Sequence, residues 1–196
     1  MLNIAVLISG GGSNLQSIID ACESKEIKGN ISVVISNKEN AYGLERAKKH
    51  NIKAIYETEE SIIIDILKEN KVDLIVLAGY LKIISPKFVN EFENKIINIH
   101  PSLIPSFCGE GYYGKKVHQA VIDYGVKVTG ATVHFVDEGA DTGPIIIQEI
   151  VEVKTDSVDE LAKKVLEIEH KILPKSIGLF CDNKISILGR RVFIDE

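Results

Sequence analysis

The sequence is poor in cysteine, since it contains only Cys22, Cys108 and Cys181, far apart and without paired spacing. A small, odd set of this kind is typical of free thiols in a reducing compartment rather than of a disulfide framework. No basic segment precedes an apolar one at the amino terminus, and no apolar run reaches the length that crosses a bilayer. These absences predict a soluble, cytoplasmic protein.

Several catalytic signatures are also missing. There is no HExxH, no CxxC and no cluster of carboxylates, so we expect no metal site. No serine lies in a GxSxG elbow, which argues against a serine hydrolase. The net charge is −5 with acids and bases interspersed, which argues against duplex nucleic acid as a partner. A small anionic ligand stays possible, because backbone amides and helix ends can hold a phosphate.

The 196 residues are 45% hydrophobic and 26% charged, which fits one globular domain over residues 1–196. In the first hundred residues, short apolar runs alternate with amphipathic segments. The predicted strands are residues 2–8, 31–35, 54–56, 72–78 and 96–99, and the predicted helices are residues 15–21, 43–50 and 61–70. This alternation predicts an α/β fold with a doubly wound, mostly parallel sheet, and ligands beyond the carboxyl ends of its strands.

The second half of the chain has a different pattern. Residues 127–135 and 144–153 are β-prone and flank a polar connection, which predicts an antiparallel pair of strands. Ser157 and Glu160 form a capping-box pattern that opens a long helix to about Leu179. Residues 185–194 are expected to add an edge strand or to lie on the surface.

Residues 9–14 read SGGGSN and stand between a predicted strand and a predicted helix. Glycines let the backbone turn tightly and expose successive N–H groups, and the helix dipole then favours an anion. The segment has neither the lysine of a P-loop nor the spacing of a dinucleotide fingerprint, so a phosphate monoester suits it best. The alternative is a tight turn in which Ser13 or Asn14 caps the helix.

Asn98 and His100 lie two residues apart on a predicted strand, so their side chains share one face at its carboxyl end. An amide that donates to a developing oxyanion, beside an imidazole that carries a proton, suits acyl transfer through a tetrahedral intermediate. Pro101 and Pro105 predict a rigid loop over this pair. The alternative is a buried polar pair that is satisfied within the core.

Thr132 and His134 form a second pair on one face of a strand, and Asp141 follows in the next connection. A carboxylate at that position can orient an imidazole and stabilise its charged form. We expect Asp137 and Glu138, in the same connection, to belong to a solvated turn.

Taken together, these motifs resemble those of the phosphoribosylglycinamide formyltransferases, enzymes of purine biosynthesis. The matching segments are ISGGGSNL at 8–15, SNK at 36–38, AYGLERA at 41–47, LAGYLKIISP at 77–86, NIHPSLIP at 98–105, His134 and DTGP at 141–144. The resemblance runs to about Leu179. It implies a Rossmann-like fold with a ribonucleotide-binding half at about residues 1–100 and a folate-binding, catalytic half at about 77–180.

The resemblance also implies the reaction, which moves the formyl group of 10-formyltetrahydrofolate to the amine of glycinamide ribonucleotide without a metal ion or a covalent intermediate. Asn98, His100 and Asp141 match the catalytic residues of the family, with Thr132 and His134 in support. The amine attacks the formyl carbonyl while Asn98 and protonated His100 donate to the oxyanion. Asp141 is expected to raise the pKa of His100 and to help move a proton to the folate N10.

The binding residues are implied in the same way. Gly12, Ser13 and Asn14 match the phosphate site, and Glu169 matches the acid that contacts the ribose hydroxyls. The residues that match the folate site are Tyr80, Leu81, Lys82, Ile83, Ile84, Val89, Asn98, Val136, Asp137, Ala140 and Asp141. We expect small-molecule substrates, no nucleic-acid or membrane partner, and a monomer or homodimer.

Two segments depart from the family pattern. The loop after Pro105 is longer than the common form, so Tyr112, Tyr113 and Lys115 receive no role. Residues 57–64 are acidic and apolar, and they offer no match to the basic contact that the family makes with the glutamate tail of the folate.

Three other functions would use parts of the same sequence. Formyltetrahydrofolate hydrolases share this core but add an amino-terminal regulatory domain, and methionyl-tRNA formyltransferases add a carboxyl-terminal tRNA-binding domain. With a first strand at Leu2 and an acidic chain ending at Glu196, we expect the small-substrate transferase instead. A phosphate-binding module using only the glycine loop is the non-catalytic alternative, and Asn98, His100 and Asp141 argue against it.

Overall fold

A computed structural model describes residues 1–195 of the chain. The strands are β1 (Leu2–Ile8), β2 (Gly29–Ser36), β3 (Ala54–Tyr56), β4 (Leu74–Leu77), β5 (Ile96–His100), β6 (Val128–Phe135), β7 (Ile145–Glu152), β8 (Ile185–Leu188) and β9 (Arg191–Ile194). The helices are α1 (Ser13–Glu23), α2 (Tyr42–Lys49), α3 (Glu60–Glu69), α4 (Pro86–Glu91), α5 (Lys115–Tyr124) and α6 (Val158–Cys181).

The strands form one sheet in the order β3-β2-β1-β4-β5-β6-β7-β9-β8, and the first five of these run parallel. Along β1, Ile4 and Val6 enter one apolar core while Ala5 and Leu7 enter the other. Helices α1, α2, α5 and α6 pack on the first face, and α3 and α4 pack on the second. This is the arrangement that near-continuous apolar strands predict, so the predicted doubly wound sheet is confirmed.

The direction of winding reverses at β1, which has β2 on one side and β4 on the other. Ligands of open α/β sheets bind at such a switch point, beyond the carboxyl ends of the strands. The loops that leave β1 and β4 meet there, because Ser9 N donates to Gly79 O at 3.1 Å. This edge of the sheet therefore collects the glycine loop and the segment that follows β4.

The carboxyl-terminal half adds antiparallel strands. β6 pairs antiparallel with both β5 and β7, which confirms the predicted pair. The predicted edge strand is a hairpin of β8 and β9, joined to β7 through the pair Ile145 and Arg191. In the capping box of α6, Ser157 Oγ accepts from Glu160 N at 3.3 Å, but the Glu160 carboxylate accepts from Thr155 Oγ1 instead of from the backbone of Ser157.

Two helices have no counterpart in the sequence-based prediction. Helix α4 is short, so its apolar period is too brief to detect. Ser85 caps it by accepting from Phe88 N, and Pro86 stands in its first turn, both typical of a helix start. Helix α5 begins after Gly114, within the loop that departs from the family pattern, and it buries Val117 and Val121.

Clusters of metal-ligating side chains and membrane-spanning helices would indicate other classes of protein. Over residues 1–195, no group of three or more His, Cys, Asp or Glu side chains is arranged to hold a metal ion. Within the same range, no helix is both long enough and apolar enough to cross a membrane.

Burial raises the pKa of both Cys22 and Cys181 to about 11, so both thiols stay protonated at neutral pH.

Candidate active site

The glycine loop joins β1 to α1, and its backbone conformation depends on glycine. Gly12 is the N-cap of α1 with φ 69° and no side-chain cap. A Cβ at Gly12 would lie 2.8 Å from the Cα of Gly43, which no side chain can do without moving backbone. Ser13 is the first helical residue, so the alternative in which Ser13 or Asn14 caps the helix is wrong. Within residues 1–195 no N-cap side chain occupies the first N–H groups of α1, so these groups can bind an anion.

Helix α2 donates hydrogen bonds to two carbonyl groups of the loop. Gly43 N donates to Gly10 O at 3.0 Å, and Arg46 Nε donates to Gly11 O at 2.8 Å. Both donors belong to α2, within the AYGLERA segment. A cleft of about 480 Å³ opens beside Ser9 and the first two glycines, with residues 38–42 as its other wall. Because the carbonyls face α2, the loop can present its N–H groups to a ligand.

Asn14 and Glu169 meet beneath the glycine loop, 155 residues apart in sequence. Asn14 Nδ2 donates to Glu169 Oε2 at 2.6 Å, and each residue is 8% exposed. Burial raises the pKa of Glu169 to about 7, although the Asn14 hydrogen bond opposes that shift. Asn14 Oδ1 has no hydrogen-bond partner among the described residues. The structure thus brings Glu169 to the predicted phosphate loop and turns the Asn14 side chain toward α6.

The second cluster lies at the carboxyl end of β5, next to β4 in the sheet. Asn98 pairs with His134 across β5 and β6, and His100 pairs with Thr132. Asp141 stands in the following loop with φ 58°, a left-handed conformation that aspartate tolerates better than most residues. Asp141 Oδ2 lies 3.4 Å from His100 Nδ1, and its Oδ1 lies 3.5 Å from His134 Nε2. The structure therefore gathers Asn98, His100 and His134 around the carboxylate of Asp141.

The orientation of Asn98 follows from the hydrogen bonds of His134. His134 Nδ1 donates to Phe135 O at 2.7 Å, which leaves Nε2 to accept from Asn98 Nδ2 at 3.1 Å. Asn98 Nδ2 also lies 3.4 Å from Asp141 Oδ1, a distance at which a hydrogen bond is weak. Asn98 is only partly buried, so its amide can turn one donor toward a ligand. The Asn98 side chain is therefore not sealed within the core, as the alternative of a satisfied buried pair requires.

Each ring nitrogen of His100 faces an oxygen atom of the protein, Nε2 the Phe107 carbonyl and Nδ1 the Asp141 carboxylate. Nε2 donates to Phe107 O at 2.9 Å, so in the neutral ring the lone pair of Nδ1 faces Asp141. Burial lowers the pKa of His100, and the opposing effects of Asp141 and the Phe107 carbonyl do not offset it. The expectation that Asp141 raises the pKa of His100 is correct for that one interaction and wrong for the net shift, because desolvation of the buried ring dominates.

Asp141 itself is held in its ionised form. Burial acts to raise its pKa, but the neighbouring imidazoles of His134 and His100 and the Gly109 backbone amide favour the charged carboxylate, so the net pKa is lowered. Gly109 N donates to Asp141 Oδ2 at 2.9 Å. The resting site thus pairs a neutral imidazole with a carboxylate, and a proton added at His100 Nδ1 would convert this contact into an ion pair.

Thr132 is fully buried and its hydroxyl lies on the loop after His100 rather than at the carboxylate. It donates to Ser102 O at 2.7 Å and accepts from Ile104 N at 3.1 Å. Thr132 therefore holds the loop that Pro101 and Pro105 were expected to make rigid. This location fits the supporting role that the resemblance implies for it.

The segments that match the folate site are residues 80–84, Val89 in α4 and the loop of residues 136–141. Leu81 and Ile83 are 52% and 73% exposed, whereas Val89 is buried within α4. Tyr80 is partly buried, and burial together with Glu60 raises its pKa. Lys82 Nζ donates to Thr58 O at 2.7 Å. The exposed apolar side chains of this segment, next to the switch point, are therefore those of residues 81 and 83.

The loop of residues 136–141 reaches the same region. Asn90 Nδ2 donates to Glu138 Oε1 at 3.1 Å, which ties this loop to α4. Asp137 Oδ1 accepts from Gly139 N and from Thr142 Oγ1, so Asp137 is used within its own turn, as expected. Ala140 is exposed and Val136 is partly buried. The two predicted folate segments are thus neighbours in space.

Sequence reasoning missed two backbone groups of the site, the carbonyl of Phe107 and the amide of Gly109. Both belong to the loop that departs from the family pattern, and both contact predicted catalytic side chains. Backbone groups leave no residue-type signal, and only the glycines of that loop indicated an unusual path. Tyr113 and Lys116 contact each other, with Lys116 Nζ 4.4 Å from the centre of the tyrosine ring.

Known proteins share this architecture. A family model described as Formyl transferase matches residues 2–177. The phosphoribosylglycinamide formyltransferase of Haemophilus influenzae is 43% identical over 205 residues, covering 100% of this chain and 94% of that protein. The chloroplastic enzyme of that name from Arabidopsis thaliana is 40% identical over 193 residues, covering 93% of this chain and 66% of the relative's own length. The crystal structure of glycinamide ribonucleotide transformylase 1 from Symbiobacterium toebii matches with a TM-score of 0.94 and 41% identity, covering 100% and 95% of the two chains.

Proposed function

The chain belongs to the formyl transferase family, and from this premise we propose that it transfers the formyl group of 10-formyltetrahydrofolate to the amine of 5'-phosphoribosylglycinamide. The products are the formylated ribonucleotide and tetrahydrofolate, so the reaction is a step of purine synthesis. One observation carries the proposal. Asn98, His100 and Asp141 lie together at the sheet edge that also holds the glycine loop.

The ribonucleotide end of the site is the glycine loop with Glu169. The free N–H groups around Gly12 and Ser13 bind the phosphate, because the loop carbonyls already accept from α2. Glu169 accepts from the ribose hydroxyls when it is ionised, and Asn14 holds one of its oxygens at 2.6 Å. This division assigns the phosphate to backbone groups and the ribose to a carboxylate.

The folate end of the site is the apolar surface beyond β4. The exposed side chains of Leu81 and Ile83 suit the flat rings of a folate. The loop of residues 136–141 borders that surface and leads into Asp141. The formyl group of a folate bound there would therefore stand close to Asn98 and His100.

The chemistry needs one bond made, one bond broken and one proton moved. The neutral amine adds to the formyl carbon, and Asn98 Nδ2 with His100 Nε2–H donate to the oxyanion that forms. In the free protein these donors are directed at Asp141 Oδ1 and Phe107 O, so the oxyanion replaces internal acceptors. The carbon–N10 bond then breaks as the carbonyl re-forms, and the new amide stays on the ribonucleotide.

The proton leaves the attacking nitrogen and arrives at N10. Asp141 is the base within reach, and His100 Nδ1 at 3.4 Å is the neighbouring place where the proton is stabilised. The neutral resting state of His100 suits this role, because a ring that is already protonated could not receive it. Holding both substrates in one cleft supplies much of the rate acceleration.

The test is a spectroscopic assay of 10-formyltetrahydrofolate consumption with and without 5'-phosphoribosylglycinamide. We expect turnover that strictly requires the ribonucleotide. Release of tetrahydrofolate and formate without the ribonucleotide would instead identify a hydrolase, in which water replaces the amine. No reaction under either condition would overturn the catalytic assignment.

A further inference from the structure

A row of three side chains crosses the sheet and begins with the predicted catalytic histidine, His100. His100 on β5 is opposite Thr132 on β6, and Thr132 is opposite Gln148 on β7. The Gln148 amide nitrogen donates to Thr132 Oγ1 at 3.0 Å and to Ile104 O at 2.9 Å. Gln148 therefore reaches from the third strand to the loop that directly follows His100.

The hydroxyl of Thr132 uses its full hydrogen-bonding capacity in this network. A hydroxyl has one donor and two acceptor sites. Thr132 donates to Ser102 O and accepts from Ile104 N and from Gln148 Nε2. Without Gln148, this buried hydroxyl and the Ile104 carbonyl would each lose a partner, and the loop would lose one of its attachments to the sheet.

The same loop leads to the carbonyl that contacts His100. Ser102 Oγ donates to Ser106 O at 2.6 Å, and Ser106 N donates to Leu103 O at 2.9 Å. The next residue is Phe107, whose carbonyl accepts from His100 Nε2 at 2.9 Å. The hydrogen bond at one ring nitrogen decides which tautomer is present, so the position of this carbonyl directs the lone pair of Nδ1 toward Asp141.

We propose that Gln148 is a positioning residue, which fastens the loop of residues 102–106 and thereby holds the Phe107 carbonyl where it fixes the tautomer of His100. Gln148 touches neither substrate in this assignment. The inference rests on the proposed function in treating His100 as catalytic. The tautomer itself can be measured in the free protein, independently of any reaction.

The variants that test the proposal are Gln148→Met, which keeps the length of the side chain but removes its donors, and Gln148→Glu, which keeps a polar side chain but can only accept. Ile150→Ala is the matched control, since Ile150 is two residues along the same strand and 64% exposed. Losing two hydrogen bonds predicts that kcat falls about tenfold in Gln148→Met, with both KM values within about twofold. The kcat of Gln148→Glu should be as low as that of Gln148→Met, whereas Ile150→Ala should have the kcat of the wild type.

The decisive measurement is ¹⁵N NMR of histidine-labelled protein, with His100 assigned through its loss in His100→Ala. We expect the wild type to hold His100 as the Nε2–H tautomer and both Gln148 variants to show a mixture. Unchanged ring signals overturn the proposal, whether or not kcat falls. A wild type that forms no product while the variants still shift the His100 signals would instead overturn the proposed function and leave the positioning role intact.

Discussion

The two ends of the site are built from different materials. The glycine loop is one continuous segment, and its groups for a ligand are backbone N–H groups held by a left-handed Gly12 and by donors from α2. The proposed catalytic cluster is assembled from Asn98 and His100 on β5 and His134 on β6, all directed at Asp141 in the loop after β6. The first end depends on shape, and the second depends on charge and proton position.

This difference decides how each end can fail. A substitution in the loop acts by displacing backbone, so it should weaken binding and stability together. A substitution in the cluster can keep the shape and still remove the charge, so it should reduce turnover while binding and folding persist.

Asp141→Asn should lower kcat by about 10²–10⁴-fold, because the variant keeps the shape of the side chain but removes the base that accepts the proton. The KM values of both substrates should change little. Steady-state kinetics with each substrate varied in turn measures both quantities. A variant with kcat near that of the wild type would refute the mechanism.

His100→Ala is the companion change and should also lose most of the turnover while largely keeping substrate affinity. Its effect should not add to that of Asp141→Asn in the double variant, because the two side chains act on the same proton. Additive losses would mean that His100 and Asp141 serve separate steps.

Gly12→Ala should raise the KM for the ribonucleotide by roughly 10²-fold, since a Cβ 2.8 Å from the Gly43 Cα forces the loop to move and disturbs several N–H contacts to the phosphate. The melting temperature should fall as well. Gly11→Ala is the matched control, because a Cβ at Gly11 would meet nothing within 4 Å. Equal effects of the two substitutions would show that the loop does not act through its backbone shape.

The contrast between the two ends also explains what could be predicted from the sequence. The glycine loop is predictable because its residues are contiguous and local rules apply to them. The same-face pairs Asn98 with His100 and Thr132 with His134 followed from the two-residue period of a strand. Only the family resemblance linked Asp141 to both histidines, because the loop after β6 has no local rule that sets its path.

Sequence reasoning failed where burial or backbone groups decide the outcome. The net pKa of His100 is lowered because desolvation exceeds the attraction of Asp141, and the degree of burial cannot be obtained from spacing. Helix α4 was missed because it is short, and the contacts of Phe107 and Gly109 were missed because any residue could supply them. The position of Gln148 required the register of three strands, which only the structure provides.

Glu169→Gln should make the protein more stable at high pH while weakening ribonucleotide binding. In the folded protein the pKa of Glu169 is raised from 4.5 to about 7, so folding favours the protonated form. The wild type has this stabilisation in full below pH 4.5 and loses it as the pH rises through 7. The glutamine stays neutral and should gain of order 1–3 kcal/mol in unfolding free energy above pH 7.

The same substitution should raise the KM for the ribonucleotide about tenfold, because a neutral amide accepts from ribose hydroxyls more weakly than a carboxylate does. Urea unfolding at pH 5 and pH 8, with KM measured over the same range, checks both effects. At pH 5 the difference in stability should be much smaller than at pH 8, because the wild type has lost only part of the stabilisation there. An unchanged KM would remove Glu169 from the ribonucleotide site.

Ser9→Ala should have the smallest effect and is the one change that acts on both ends. Ser9 Oγ donates to Asn37 Oδ1 at 2.7 Å and accepts from Leu81 N at 2.8 Å, so it joins the glycine loop to the proposed folate segment. Removing the hydroxyl leaves a backbone N–H without its partner, which should lower the unfolding free energy by about 1–2 kcal/mol. Both KM values should rise together by about two- to fivefold, whereas kcat should stay unchanged, because Asp141 and His100 are untouched.

Ser17→Ala is the control, since Ser17 Oγ donates to Asn14 O within α1 and bridges no second segment. If Ser9→Ala raised the KM of only one substrate, the two ends would be independent, and the shared loop contact would matter for stability alone.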